Sequence, residues 1–166
     1  MVVFKKIAAS GKYHDPQAIP DVISYITKPN KTPSDLILGM NVDMQHMADS
    51  MIAVSEHYGK NSRLRLHHFV LSFEPEASAV LPQVAQAICA YIGRIYQIVA
   101  ALHEDTQHPH IHFVFNAVSF VNGYKYRGGK KEYNELINDL KAILYSYGLH
   151  PLIPLNYHPN NEHPHE

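Results

Sequence analysis

Two apolar runs near the middle of the chain, residues 96–103 and 110–120, are separated by only six residues, Glu104, Asp105, Thr106, Gln107, His108 and Pro109. Parallel strands need a crossover of a dozen residues or more, so a connection this short joins antiparallel neighbours. Asp, Thr and Pro in the link suit a tight loop. Whatever sheet the chain builds must contain this hairpin.

Strands and helices alternate around it. Residues 2–8, 36–42 and 65–73 read as strands. Helical spacing marks residues 20–27, with Pro20 in the first turn and Val22, Ile23 and Ile26 as the apolar stripe. It recurs over 43–58 with a Met-rich stripe of Met44, Met47 and Met51 that reads as core, over 79–92, and over 132–147. Gly59, Gly93 and Gly148 supply the stops. A hairpin among helices predicts an α+β fold, a largely antiparallel central sheet flanked by helices. One domain is expected over residues 1–149, then a polar, Pro-rich tail over 150–166 that is disordered toward its end. A chain of 166 residues buries roughly 70% of its unfolded surface, so it needs no metal merely to fold.

Composition narrows the function. Fourteen Lys plus Arg against fifteen Asp plus Glu exclude nucleic-acid binding by bulk charge and leave room for a local patch. The single Cys89 excludes an internal disulfide and a Cys-built zinc site, and fits a reducing, cytoplasmic setting. No stretch approaches the roughly 20 apolar residues of a membrane span, and the N-terminal apolar run is too short for a secretory signal. The outlier is the count of thirteen histidines.

On the second hairpin strand His110 and His112 share one face, while Ile111 and Phe113 turn to the core. Folding the hairpin brings His103 beside His110, so three imidazoles converge and leave one side open to substrate. Such a set suits zinc, copper or nickel, whereas phosphoryl chemistry employs magnesium or manganese. Ligand type therefore leaves the identity open, with manganese the compromise. His108 competes as a ligand, but Pro109 argues against an early start of the strand that would align it. Asp105 is placed to accept a hydrogen bond from a ligand imidazole or from a nucleophile. Tyr25 lies about 110° from the mean direction of its helix's apolar stripe, so its ring is not committed to the core. Spacing alone supports a hydrolytic or phosphoryl-transferring metal site, against a merely His-rich hairpin.

The run His103-x-Asp105-Thr106-x-x-x-His110-Ile111-His112, followed by Asn116, resembles the third motif of conjugative relaxases. These mobilisation nucleases belong to the HUH (His-hydrophobic-His) superfamily of single-strand endonucleases. Val22-Ile23-Ser24-Tyr25-Ile26-Thr27, with Lys31-Thr32 after it, is similar to the first motif, and His68-Phe69-Val70-Leu71-Ser72-Phe73 to the second. The likeness runs from about Val3 to Leu149.

It implies the HUH fold, Tyr25 as nucleophile, Ser72 near the cleaved DNA and a divalent metal on His103, His110 and His112. Asp105 or a histidine would act as base, and His68 and Asn116 would support the ligands from behind. The implied activity is nicking and rejoining of single-stranded DNA at a transfer origin through a 5′-phosphotyrosine, starting conjugation or mobilisation of a plasmid or integrated element. Manganese or magnesium would be functional, with zinc or nickel possible as bound ions. Accessory relaxosome and coupling proteins would be partners. Many relaxases carry a long C-terminal extension where this sequence has a short tail, which suits a minimal enzyme, a decayed remnant or a protein that depends on an accessory DNA-binding partner.

In replication initiators and small tyrosine transposases the histidine motif precedes the tyrosine, whereas here Tyr25 comes first. Such an enzyme would have to use Tyr145, since Tyr133 and Tyr147 fall on the last helix's apolar stripe. A non-catalytic binder of single-stranded origin DNA is the alternative from another class. For DNA contacts the densest basic run is Lys125, Arg127, Lys130 and Lys131, interleaved with Tyr124 and Tyr126; Lys28, Lys31, Arg63 and Arg65 add to it. The bland alternative for that run is a solvated hairpin ahead of a helix.

Overall fold

The hairpin lies inside a six-stranded sheet in the computed structural model, which describes residues 1–7, 12–30, 32, 36–104, 106–150 and 152–154. In chain order the elements are β1 (Val2–Ile7), a 3₁₀ turn (Lys12–His14), α1 (Ala18–Ile26), β2 (Ile37–Met40) and α2 (Met47–His57). There follow β3 (Leu66–Ser72), a second 3₁₀ turn (Pro75–Val80), α3 (Leu81–Ile92), β4 (Ile98–His103), β5 (His110–Asn116), α4 (Lys130–Ser146) and β6 (Leu152–Pro154). The strand order is β2-β4-β5-β3-β1-β6, with β6 parallel to β1 and every other pairing antiparallel. This is the α+β class expected.

Both faces of the sheet are covered. Ile98, Ala100, Leu102, Ile111, Phe113, Phe115, Phe69 and Leu71 pack under α3 and α4. Val99, Ala101, Val114 and Leu66 meet α1, α2 and Tyr13 of the first 3₁₀ turn on the opposite face. Double coverage explains why β4 is buried at all six positions and shows a continuous apolar run instead of an alternation. The histidines belong to the α1/α2 face, so they lie beneath a helix and not on an open sheet surface.

Several boundaries differ from the sequence reading for local reasons. α1 begins two residues before Pro20, which still falls among the first four residues, whose N–H groups have no intrahelical partner. α2 begins at Met47, not at residue 43, because the Asp43 side chain accepts from Gln45 N (2.9 Å) and its carbonyl from His46 N (2.9 Å), a turn that competes with helix. Met44 is left outside and exposed, while Met51 is fully buried. α4 stops at Ser146, and Tyr147 is a partly exposed cap and not a stripe residue. β6 lies past the boundary expected at residue 149, so the sheet extends into the segment assigned to the tail; residues 155–166 fall outside the described residues.

Candidate active site

The β4–β5 register places His103 directly opposite His110, and Ser72 of β3 lies opposite His110 on its other side. His112 stands one pleat further along, between Ala101 and Val70. The three imidazoles pack with centroids 4.5 to 5.2 Å apart. One nitrogen from each lies within 4.8 Å of the others. His103 and His112 are buried and His110 is half-exposed, which leaves one side of the cluster open.

The other ring nitrogens are held by the fold. His103 Nε2 donates to the Ile26 carbonyl at the end of α1 (2.8 Å), so in a neutral ring the lone pair sits on Nδ1. His110 Nδ1 donates to the His108 carbonyl (3.3 Å), with Thr106 Oγ1 at 3.4 Å, which leaves the lone pair on Nε2. His112 Nδ1 meets His68 Nε2 at 2.8 Å, and His68 Nδ1 meets the Tyr13 hydroxyl at 2.9 Å. Rings oriented through their second nitrogen are the arrangement in which histidines bind metal. Ligand nitrogens on a zinc-sized ion sit about 3.3 Å apart, so the cluster needs to close by roughly 1.5 Å at most. The residues present fit a divalent ion.

Tyr25 projects from α1 over this cluster. It is 48% exposed, its ring meets that of His112 edge-on at 6.3 Å between centroids, and Lys28 Nζ lies 5.5 Å from its centre. The hydrogen bond from His103 to Ile26, the next residue, ties the tyrosine's helix to the histidine strand. Burial pushes the Tyr13 hydroxyl up to about 12, with Tyr25 a secondary contributor. Burial likewise pushes His68 down to about 4, reinforced by His103.

The sequence comparisons bear on this same stretch. Residues 25–149 match the family model described as the MobA/VirD2-like relaxase nuclease domain. The chain belongs to this relaxase family. Protein rlx of Staphylococcus aureus is 27% identical over 145 residues, covering 85% of this chain and 42% of that protein. A second Protein rlx from the same organism is 27% identical over 115 residues, covering 67% of this chain and 36% of its own length. The group II intron-interrupted relaxase LtrB of Lactococcus lactis subsp. cremoris is 31% identical over 71 residues, or 40% of this chain and 13% of LtrB. The chain therefore spans less than half the length of these relatives.

Not every residue expected in the relaxase site gathers there. Tyr25, Ser72, His68, Lys28 and the three histidines do. Asn116 does not: its side-chain amide donates to the Met51 carbonyl and Gln97 Oε1, and its oxygen accepts from Ser55 Oγ and Val118 N. It is a buried latch joining α2, Gln97 just before β4, and β5, and its bond to Val118 N helps to end β5 at residue 116. His108 turns outward, 3.7 Å from the Glu74 carboxylate, and contributes its carbonyl, not its ring. Asp105 and Lys31 lie outside the described residues.

The basic residues divide. Lys125 is held below the usual lysine range by burial first and then by the charges of Arg127, Arg65, Arg63 and Lys60, so these five form one patch. Lys60 belongs to it without having stood out in the sequence. The patch sits at the Leu66/Asn116 end of the sheet, whereas the histidines sit at the Ser72/His110 end. Lys130 and Lys131 begin α4, which packs on the opposite face. A groove of about 210 Å³ on that opposite face, lined by Tyr91, Arg94, Tyr96, Tyr126, Glu132 and Asp139, holds no histidine and is remote from the imidazole cluster. Among the described residues no helix is long and apolar enough to cross a membrane.

Proposed function

We propose that this chain nicks and rejoins single-stranded DNA at a transfer origin, with Tyr25 as nucleophile. The observation that carries the reading is the edge-on packing of the Tyr25 ring against His112, one of three convergent imidazoles. Tyr25 Oη forms a bond to the scissile phosphorus while the P–O3′ bond breaks; the phenolic proton goes to a base, and the 3′ oxygen gains a proton. The products are a 5′-phosphotyrosyl strand and a free 3′-hydroxyl. The new linkage is again a phosphodiester, so the same site run backwards reseals the strand.

A divalent ion held by His103, His110 and His112, manganese or magnesium in function, would polarise the phosphate and offset charge that develops on it. A phenol is a weak nucleophile near neutral pH, so a neighbouring base or cation has to favour its ionised form. Lys28, above the ring, supplies a cation, and Asp105 or a histidine takes the proton. Ser72, beside His110, contacts the DNA near the cut. The role is starting mobilisation or conjugation of a plasmid or integrated element in the cytoplasm, with relaxosome and coupling proteins as partners.

Incubating the chain with single-stranded oligonucleotides tiling its element's origin, with Mn²⁺ or EDTA, tests this. A covalent protein–DNA band on a denaturing gel that requires Mn²⁺ is expected. Tight binding to one oligonucleotide with no covalent band at any metal would instead favour a binding protein.

The basic patch gives a second expectation. Strand rise puts it about 20 Å from the histidines, within reach of the same DNA strand. Neutralising Arg63 and Arg127 together weakens oligonucleotide binding and lowers the slope of log K against log salt by about 1.4, from roughly 0.7 per phosphate contact on single strands. The same change at Lys130 and Lys131 leaves the slope where it was. Salt titrations of the two double variants by fluorescence anisotropy check this, and equal slopes would remove the patch from the DNA path.

A further inference from the structure

Of the three convergent imidazoles, His112 is the one backed by a buried side-chain series. His103 and His110 donate to main-chain carbonyls, which fixes their tautomers. His112 instead ends a buried series in which Tyr13 Oη meets His68 Nδ1 (2.9 Å) and His68 Nε2 meets His112 Nδ1 (2.8 Å). All three side chains are at most 8% exposed.

Such a series has two directions. If Tyr13 donates to His68, then His68 Nε2–H donates to His112 Nδ1, and the proton of a neutral His112 sits on Nε2. That ring has no lone pair to offer a metal. In the opposite direction His112 Nδ1–H donates to His68 Nε2, His68 Nδ1–H donates to the Tyr13 oxygen, and His112 Nε2 carries the lone pair. Only the second direction is compatible with ligation.

We propose that Tyr13, acting through His68, is a positioning residue for the metal site: its phenolic oxygen accepts from His68 and thereby holds His112 in its metal-binding tautomer. The inference rests on the three-histidine reading of the site. Tyr13 is suited to the task because its turn is fixed from the sheet. Arg65, immediately before β3, donates its main-chain N–H to the Tyr13 carbonyl (2.9 Å) and its Nε to the His14 carbonyl (3.1 Å). A carboxylate is the common partner behind a metal-bound histidine and adds negative charge. An imidazole–phenol pair orients the ring while remaining neutral, so the site's positive charge stays available to a phosphate.

The test is titration of the metal-free full chain with Co²⁺, read by its visible absorption. Tyr13→Phe keeps the ring and removes only the acceptor, so it leaves one buried donor unpaired and should melt a few degrees below the parent in EDTA, still in a single cooperative transition, while Co²⁺ affinity falls about tenfold, the low end for a lost orienting partner. His68→Phe should lower affinity by about 10- to 100-fold, and Tyr13→Phe added to it should change nothing further, since the hydroxyl acts only through His68. Parent-like affinity in Tyr13→Phe, or an undiminished effect of it in the His68→Phe background, would overturn the proposal. Equal Co²⁺ binding by the parent and His110→Ala would sink the three-histidine reading itself, and this proposal with it. That outcome is separate, because it is read without touching Tyr13.

Discussion

Tyr25→Phe loses the covalent DNA adduct, by a factor on the order of 10³ or more, while it binds Mn²⁺ and oligonucleotide as the parent chain does. The hydroxyl is the only atom removed. The ring is 48% exposed, so its packing contributes little to stability, and phenylalanine preserves the edge-on contact with His112 and the contact with Lys28. Thermal melting of the two proteins should coincide within about a degree, which separates loss of chemistry from loss of fold. The other candidate tyrosines are badly placed for the histidines. Tyr133 is buried on the inner side of α4, and Tyr145, though 52% exposed, lies near the far end of that helix, which packs on the opposite face of the sheet. An adduct that persists in Tyr25→Phe and disappears in Tyr145→Phe would reverse the assignment, and with it the tyrosine-first order that sets relaxases apart from initiators.

How far this site could be read from residues alone depended on how local each relation was. A six-residue link allows one geometry, and strand alternation then orders its neighbours. The pairing of His103 with His110, and the common face of His110 and His112, followed from those two rules. Tyr13 carried no such signal. It sits in a three-residue turn, 55 positions from His68, and His68 is 44 positions from His112, so only the folded sheet connects them. Asn116 misled for the same reason: it occupies the expected motif position, but its partners come from α2 and from Gln97 just before β4, which its spacing from His112 could not reveal. The basic run showed that adjacency along the chain is not adjacency in space. Lys125 and Arg127 join Lys60, Arg63 and Arg65 at the end of the sheet, while Lys130 and Lys131, three residues further on, start a helix that packs on the other face. β6 is three residues long, too short for any periodicity to register.

Acid should destabilise the metal-free chain over a window set by two buried histidines. Burial pushes His67 down to about 4; the nearby charges of Lys6 and Lys125 act in the same sense, and the bond its Nε2 donates to the Tyr126 carbonyl (2.7 Å) opposes them. His68 is pushed down to about 4 as well, by burial and then by His103. In the unfolded chain both rings titrate near 6.5. Between pH 6.5 and 4 the unfolded state therefore binds protons that the native state refuses, so stability is full above pH 6.5 and falls as pH drops toward 4. The slope is about 1.4 kcal/mol per pH unit for each group, or roughly 3 kcal/mol each by pH 4. Set against a total stability of about 5 to 15 kcal/mol, the two together remove a large share of it. Urea unfolding in EDTA at pH 7.5, 6, 5 and 4.5 measures the slope directly. His67 stacks on Phe115 at 5.0 Å between centroids, so His67→Phe keeps the aromatic packing, though it leaves the Tyr126 carbonyl without its donor and lowers stability by about 1–3 kcal/mol at neutral pH. The decisive quantity is the pH slope and not the starting value. It should fall by one proton's worth in His67→Phe, and an unchanged slope would mean that His67 already carries its proton in the folded chain.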